Sequence, residues 1–217
     1  MKISTNTINV LKNFAKINPS MVFPEGNVLK TISPSKTIMS KAIVQENFPK
    51  RFAVYNLNQL ISTVSLVSDP VLKFTDNSIN IVSGNEKFDL VYTDETNITK
   101  APDKEIVLPS VDVSFTLTQD LFNKLEKAAG VLSLPEVAVV GDGSKIYIQV
   151  YDSKNATGNT YSVEIGETTK SFKAIFKLDN LKLISGDYEV TISSKGISHF
   201  LGKEAEYWIA VEQHSVF

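Results

Sequence analysis

No cysteine occurs in the 217 residues. That removes disulfides, thiolate zinc sites and cysteine nucleophiles together, and fits a reducing compartment. Arginine is nearly missing as well: of 22 basic residues, Arg51 alone is arginine. Lysine is a point charge without arginine's planar fork, so base-specific reading of a nucleic acid is not expected. The two histidines, His199 and His214, lack carboxylates at metal-ligand spacing, and no metal site is expected. There is no glycine-rich phosphate loop, serine elbow or paired-carboxylate motif. Asp142 lies between two glycines, but Gly-Asp-Gly between strands is ordinary turn chemistry. The expectation is a protein that is no enzyme, with no catalytic residues and no cofactor. No apolar run approaches the length that spans a bilayer, and Met1-Lys2-Ile3-Ser4-Thr5-Asn6 lacks the apolar core of a signal peptide. A soluble intracellular protein without membrane contact is expected.

What is present is ordinary in amount: 42% hydrophobic and 21% charged residues, with a formal net charge of -2. Such a balance does not announce a nucleic-acid binder, though the placement of charge matters more than its sum. Ser4 is a good cap, and Ile8, Leu11 and Ala15, with Val10 and Phe14 beside them, are spaced as a helix that Asn18-Pro19 stops. Met21 to Phe23, Val28 to Ile32 and Thr37 to Val44 read as strands. Phe52 to Tyr55 is a short apolar run. Leu57-Asn58 then reads as strand end and cap of a second helix through Leu60, Ile61 and Val64, which Asp69-Pro70 closes. Val71 to Phe74, Ile79 to Val82 and Lys87 to Tyr92 follow as strands.

The pattern dissolves from Thr93 to Lys104, and the second half repeats the first. Strand Val113 to Leu117, cap Thr118 and a helix to about Ala129 stopped by Gly130 precede strands at 137–140, 145–151 and 160–165. Phe172 to Leu178, cap Asp179 and a very short helix through Ile184 come next, then a hairpin at Ser194-Lys195-Gly196 and a last strand, Glu206 to Val211. The intervals are near constant: 54 residues from Ile3 to Leu57, 60 from Leu57 to Leu117 and 61 from Leu117 to Leu178. Four units of strand, capped helix and hairpin predict an α+β fold of two similar domains, 1–92 and 110–217, joined by a linker at 93–109.

Several stretches carry a family resemblance. They are the opening Met1-Lys2-Ile3-Ser4 with Leu11-Lys12-Asn13-Phe14-Ala15-Lys16-Ile17-Asn18, then Val54-Tyr55-Asn56-Leu57-Asn58, Ser65-Leu66-Val67-Ser68-Asp69, Ser185-Gly186-Asp187-Tyr188 and Glu206-Tyr207-Trp208-Ile209-Ala210-Val211-Glu212. In order and position they resemble the sliding clamps of T-even-type tailed phages, the processivity factors of replicative DNA polymerases. The resemblance implies the DNA-clamp fold: two domains, each with two short helices on antiparallel sheets, assembled as a homotrimeric ring. It implies that the ring encircles double-stranded DNA without regard to sequence, is opened by a clamp-loader ATPase and holds the polymerase by its C-terminal tail. It further implies the host cell cytoplasm and raises a part in late transcription beside RNA polymerase-associated factors. The competing reading is a phage structural or assembly ring without a DNA function.

On the first helix Thr5, Asn9, Lys12, Asn13 and Lys16 are expected on one polar stripe, and on the third Gln119, Asn123, Glu126 and Lys127 with Lys124 beside them. The fourth offers Asn180 and Lys182, while the second shows Gln59, Ser62 and Thr63 and no lysine. Under the resemblance Asn9, Lys12, Lys16, Asn123, Lys124, Lys127 and Lys182 face DNA; without it, lysines on a wet helix face are read as solubilising. The resemblance also places a partner pocket at Ile106, Leu108 and Pro109 with Trp208, Ala210 and Val211. Trp208 is equally read as core.

Overall fold

Ser4 begins the first helix, α1 (Thr5–Ile17), its Oγ accepting the Thr7 amide at 3.2 Å. Asn18 ends α1 in extended backbone, its amide still bonded to Phe14 O at 2.9 Å, and Pro19 cannot continue a helix. A computed structural model describes residues 1–155 and 157–217, and the chain divides into two units, Met1–Glu105 and Ile106–Phe217.

In the first unit α1 is followed by β1 (Met21–Phe23), β2 (Gly26–Ile32), β3 (Ile38–Phe48) and β4 (Phe52–Val54). A second helix, α2 (Leu57–Leu66), precedes β5 (Val71–Phe74), β6 (Ser78–Ser83) and β7 (Glu86–Val91). β1 pairs with β4, β2 with β3, and β5-β6-β7 form a meander, all antiparallel. The predicted cap, Asn58 after a strand end at Leu57, is two positions late: Asn56 caps α2, its Oδ1 accepting the Gln59 amide at 3.1 Å, and Leu57 is a fully buried first residue. Leu and Asn at the boundary obscure which residue turns, and the side chain that reaches the third following amide settles it. The core joins the buried faces of α1 (Val10, Leu11, Phe14, Ile17) and α2 (Leu57, Leu60, Ile61, Val64). Phe23, Phe48, Phe52, Phe74 and Tyr92 form an aromatic cluster with centroid spacings of 4.6–6.3 Å.

Residues after β7 carry a 3-10 turn at Glu95–Asn97 and are fastened to the first unit by side chains. Arg51 forks onto Glu95 at 2.7 and 2.9 Å, Lys30 Nζ donates to Asp103 O at 2.9 Å, and Asn18 Nδ2 donates to both Ile32 O and Thr99 O. The lone arginine is spent on a bidentate carboxylate fork, the geometry that lysine cannot supply.

The second unit holds β8 (Val113–Leu117), α3 (Gln119–Leu132), β9 (Glu136–Asp142), β10 (Lys145–Tyr151), β11 (Tyr161–Glu167), β12 (Ser171–Lys177), β13 (Tyr188–Ser193), β14 (Ile197–Gly202) and β15 (Glu206–Ala210). One sheet runs β11-β10-β9-β12; in the other, β13 lies between β8 and β14, and β14 pairs with β15. Thr118 caps α3 as expected, its hydroxyl accepting the Leu121 amide at 3.3 Å. The helix does not stop at Gly130, however; it runs to Leu132, and Ser133 closes it in the left-handed region at φ 55°. A glycine inside a helix costs about 1 kcal/mol against alanine, which three buried anchors, Phe122, Leu125 and Ala129, offset.

The expected fourth helix is absent among the described residues. A single 3-10 turn, Leu178–Asn180, is followed by irregular backbone, and Asp179 caps nothing. Side chains replace the missing helical hydrogen bonds. The Ile184 amide donates to Tyr207 Oη at 3.0 Å, Tyr188 Oη donates to Ile184 O at 2.5 Å, and the Gly186 amide donates to Gln119 Oε1.

Candidate functional site

The first unit turns one row of α1 to solvent: Thr5, Asn9, Lys12 and Lys16, spaced four, three and four residues apart. Asn13, expected in that row, is 6% exposed and joins the buried side with Val10, Phe14 and Ile17. At 100° per residue it lies midway between faces, and packing takes it inward. α1 carries two lysines and no carboxylate.

The N-terminus of α1 is held by a group that the sequence reading passed over. Glu46 lies at an inward position of β3, with Ala42, Val44 and Phe48. Its carboxylate accepts the Ser4 amide and the Thr7 hydroxyl. Burial pushes that carboxyl up, and the bonds from Thr7 and Ser4 outweigh it and hold the group below its ordinary 4.5. A negative charge at a helix N-terminus also meets the positive end of the dipole. The available signal was parity: a charge at an inward position of an alternating strand.

In the second unit the exposed row of α3 is Asp120, Lys124, Lys127 and Val131, with Glu126 beside it. Two lysines face two carboxylates, so the helix is neutral overall. Asn123 is half-buried and its Oδ1 accepts Gln119 Nε2 at 2.7 Å. The third helix row differs again: Asn58, Gln59, Ser62 and Ser65 on α2 are polar and uncharged, with Leu66 72% exposed at the end. Lys182 sits half-buried in the irregular run after the 3-10 turn, so no helix presents it.

The other group of expected residues is on the second unit. Ile106 and Leu108 are half-buried and Pro109 is exposed. Trp208 is 7% exposed and stands on β15 opposite in parity to Tyr207 and Ile209. Its ring lies on that of His199, directly across in β14, at 4.8 Å and 21°. Ala210 shares the Trp208 side of the strand, while Val211 follows the inward parity and its amide bonds Gly196 O at 3.0 Å. Trp208 Nε1 is buried and makes no hydrogen bond. His199, which has no carboxylate at ligand spacing in sequence, has Glu206 Oε2 at 2.9 Å from Nε2, because pairing of β14 with β15 brings residues seven apart together. Such a pair orients an imidazole; among the described residues no group of three or more ligating side chains gathers for a metal.

Three comparisons place the chain. A family model described as DNA polymerase processivity factor matches residues 3–94, and one described as gp45 sliding clamp, C terminal, matches residues 114–213. The sliding clamp of Vibrio phage KVP40 is 31% identical over 219 residues, covering 98% of this chain and 99% of that one. That of Escherichia phage RB69 is 27% identical over 225 residues, covering 99% and 98%. A solved structure of A. fulgidus PCNA with the C-terminal region of FEN-1 bound has a TM-score of 0.69 at 14% identity and covers 97% of each chain, a likeness of fold. Matched in both halves and along its length, the chain belongs to the sliding-clamp family, the phage DNA polymerase processivity factors.

Proposed function

We propose that three copies of the chain close into a ring around duplex DNA, with domains 1–92 and 110–217 joined by 93–109, and that the ring does no chemistry on what it holds. The observation that carries this reading is the unequal charge of the helix rows: α1 has two lysines and no carboxylate, α3 is balanced, and α2 is uncharged. A strongly basic wall would pin DNA by many phosphate contacts, each released at the cost of counterion uptake. A weak field of this kind attracts the backbone, reads no base and lets a ring slide. Lys12 and Lys16, with Asn9, make the main contact; Lys124 and Lys127, with Asn123, make a weaker one beside Asp120 and Glu126; Lys182 supplements them. A loader ATPase opens the ring, and the polymerase's C-terminal tail anchors at Ile106, Leu108, Pro109, Trp208, Ala210 and Val211. There the unpaired Trp208 indole N–H supplies a buried donor for a carbonyl of the arriving segment.

The test is polymerase extension of primed circular DNA with loader and ATP. Products lengthen when the protein is added; unchanged length sinks the reading and favours a structural ring. Lys12→Glu with Lys16→Glu lowers retention on DNA about tenfold at moderate salt, while Lys124→Glu with Lys127→Glu lowers it only about threefold. Equal effects of the two pairs would refute the division of labour.

A further inference from the structure

β12 is bordered by β9 on one side. The backbone groups of Lys173 and Ile175 face the other way, and an uncovered row of that kind pairs readily with any extended chain. Residues 212–217 cover it. Lys173 and Val216 exchange both main-chain hydrogen bonds, at 2.7 and 2.9 Å, and the Glu212 amide donates to Ile175 O at 2.8 Å. The Ile175 amide instead donates to Ser215 Oγ at 2.9 Å, a hydroxyl standing where a paired strand would offer a carbonyl. Beyond the bridge the Phe217 ring lies 11° from parallel to that of Phe172, with centroids 6.4 Å apart. Phe172 is itself fixed by Gly141, where a Cβ would come within 2.4 Å of the ring.

This cover is thin. Val216 is 65% exposed and Phe217 42%, and the ring separation is near the outer limit of aromatic contact. Lys177 and His214 reach Glu212 at 3.4 Å and Glu136 at 3.5 Å, each contact setting an exposed base against a largely buried carboxylate, and contacts this long with one wet member hold loosely. Alongside is a cavity of about 680 Å³ lined by Asp112, Lys170, Ser171, Phe172, Ser194 and Phe217. A strand laid on β12 has room there to continue past the Phe172 ring.

We propose that the β12 edge is a second peptide-docking site, separate from the Trp208 patch, and that residues 212–217 are its exchangeable occupant. The partner it fits is an extended peptide that repeats the chemistry of the resident segment: main-chain pairing with Lys173 and an aromatic side chain on Phe172, the mode of strand addition. The site needs neither DNA nor polymerase, so its failure would leave the clamp reading untouched.

The probe is a labelled peptide, Glu-Gln-His-Ser-Val-Phe, titrated against the full chain and against one ending at Val211. The shortened chain is expected to bind at least about tenfold more tightly, since the resident segment no longer competes. Replacing the peptide's Phe by Ala is expected to weaken binding about tenfold. Equal binding by the two chains, or of the two peptides, overturns the proposal. Should the shortened chain lose its melting transition, amide exchange in the full chain decides. Lys173 and Ile175 are expected to exchange about tenfold faster than Ala174 and Phe176, whose amides face β9. Equal protection would make residues 212–217 a fixed part of the sheet and end the idea.

Discussion

In the first unit β4 runs through Asn56 into ten residues of helix; in the second, β12 runs through Leu178 into one 3-10 turn and then irregular backbone to Gly186. Both segments follow a strand, and both precede a hairpin. They differ in what satisfies the backbone. α2 bonds to itself and buries Leu57, Leu60, Ile61 and Val64 on one side, so its order is local. The run after Leu178 depends on Tyr207, Tyr188 and Gln119, residues 23, 4 and 67 positions away from their partners. One segment carries its own hydrogen bonds and the other borrows them, which makes the second conditional on packing elsewhere.

The largest effect that separates the two is a cavity in the self-sufficient segment. Leu60 is 2% exposed, and Leu60→Ala is expected to cost about 2–5 kcal/mol in urea unfolding. A loss under about 1 kcal/mol would show that α2 is not anchored by its buried side.

Next comes Glu46, a buried carboxylate that secures the N-terminus of α1; at the N-terminus of α3 the exposed Asp187 carboxylate accepts the Gln119 amide at 2.7 Å. Glu46→Gln offers an amide where two donors converge, and is expected to cost about 1.5–3 kcal/mol. Because the folded pKa lies below 4.5, the carboxylate's contribution is complete above that pH and is lost as pH falls through the folded value. An acid titration of the wild type therefore loses stability below pH 4.5 more steeply than the Glu46→Gln chain; parallel curves would remove Glu46 from the account. Asp187→Asn is expected to act in the same direction and less.

Tyr207→Phe tests the borrowed bonds. It removes the acceptor of the Ile184 amide and is expected to cost about 1 kcal/mol. Amide exchange at Ile184 and Gly186 should rise while the α2 amides stay protected. Burial, with Tyr207 close by, holds the Tyr188 phenol far above its ordinary range, so Tyr188 stays protonated and keeps donating to Ile184 O. No change in exchange at Ile184 would mean that the irregular run is ordered by something else.

Much of this was legible in the residues. Ser4 and Thr118 announced two helices, Asn18-Pro19 ended one, and Gly141-Asp142-Gly143 turned a hairpin, its Asp142 carboxylate accepting the Ser144 and Lys145 amides at 2.8 and 2.7 Å. These are local signals, complete within a few residues. What was illegible lies in pairings between distant positions. Asn13 is polar and buried, and Glu46 reaches α1 from a strand about forty residues on. The segment at 178–186 fails as a helix although Asp179 looks like a cap, because a capping oxygen is useful only when amides follow it in helical array. The same limit applies to the lysine rows: spacing located Lys12, Lys16, Lys124 and Lys127 on exposed faces, but the balance of α3 depends on Asp120 sharing its face.

The smallest effects give the sharpest contrast. Asn56→Ala removes the acceptor of the Gln59 amide, and a lost cap of this kind costs about 1 kcal/mol. Asp179→Ala, at what looks in sequence like the matching position, removes an exposed carboxylate that caps nothing, and is expected to change stability by less than about 0.5 kcal/mol. The paired measurement matters more than either value. Were the two costs equal, the irregular run would be using Asp179 as a helix uses its cap, and the distinction between a segment that bonds itself and one that borrows would fail. A cost confined to Asn56 would instead locate the difference between the units in the first residue of each turn.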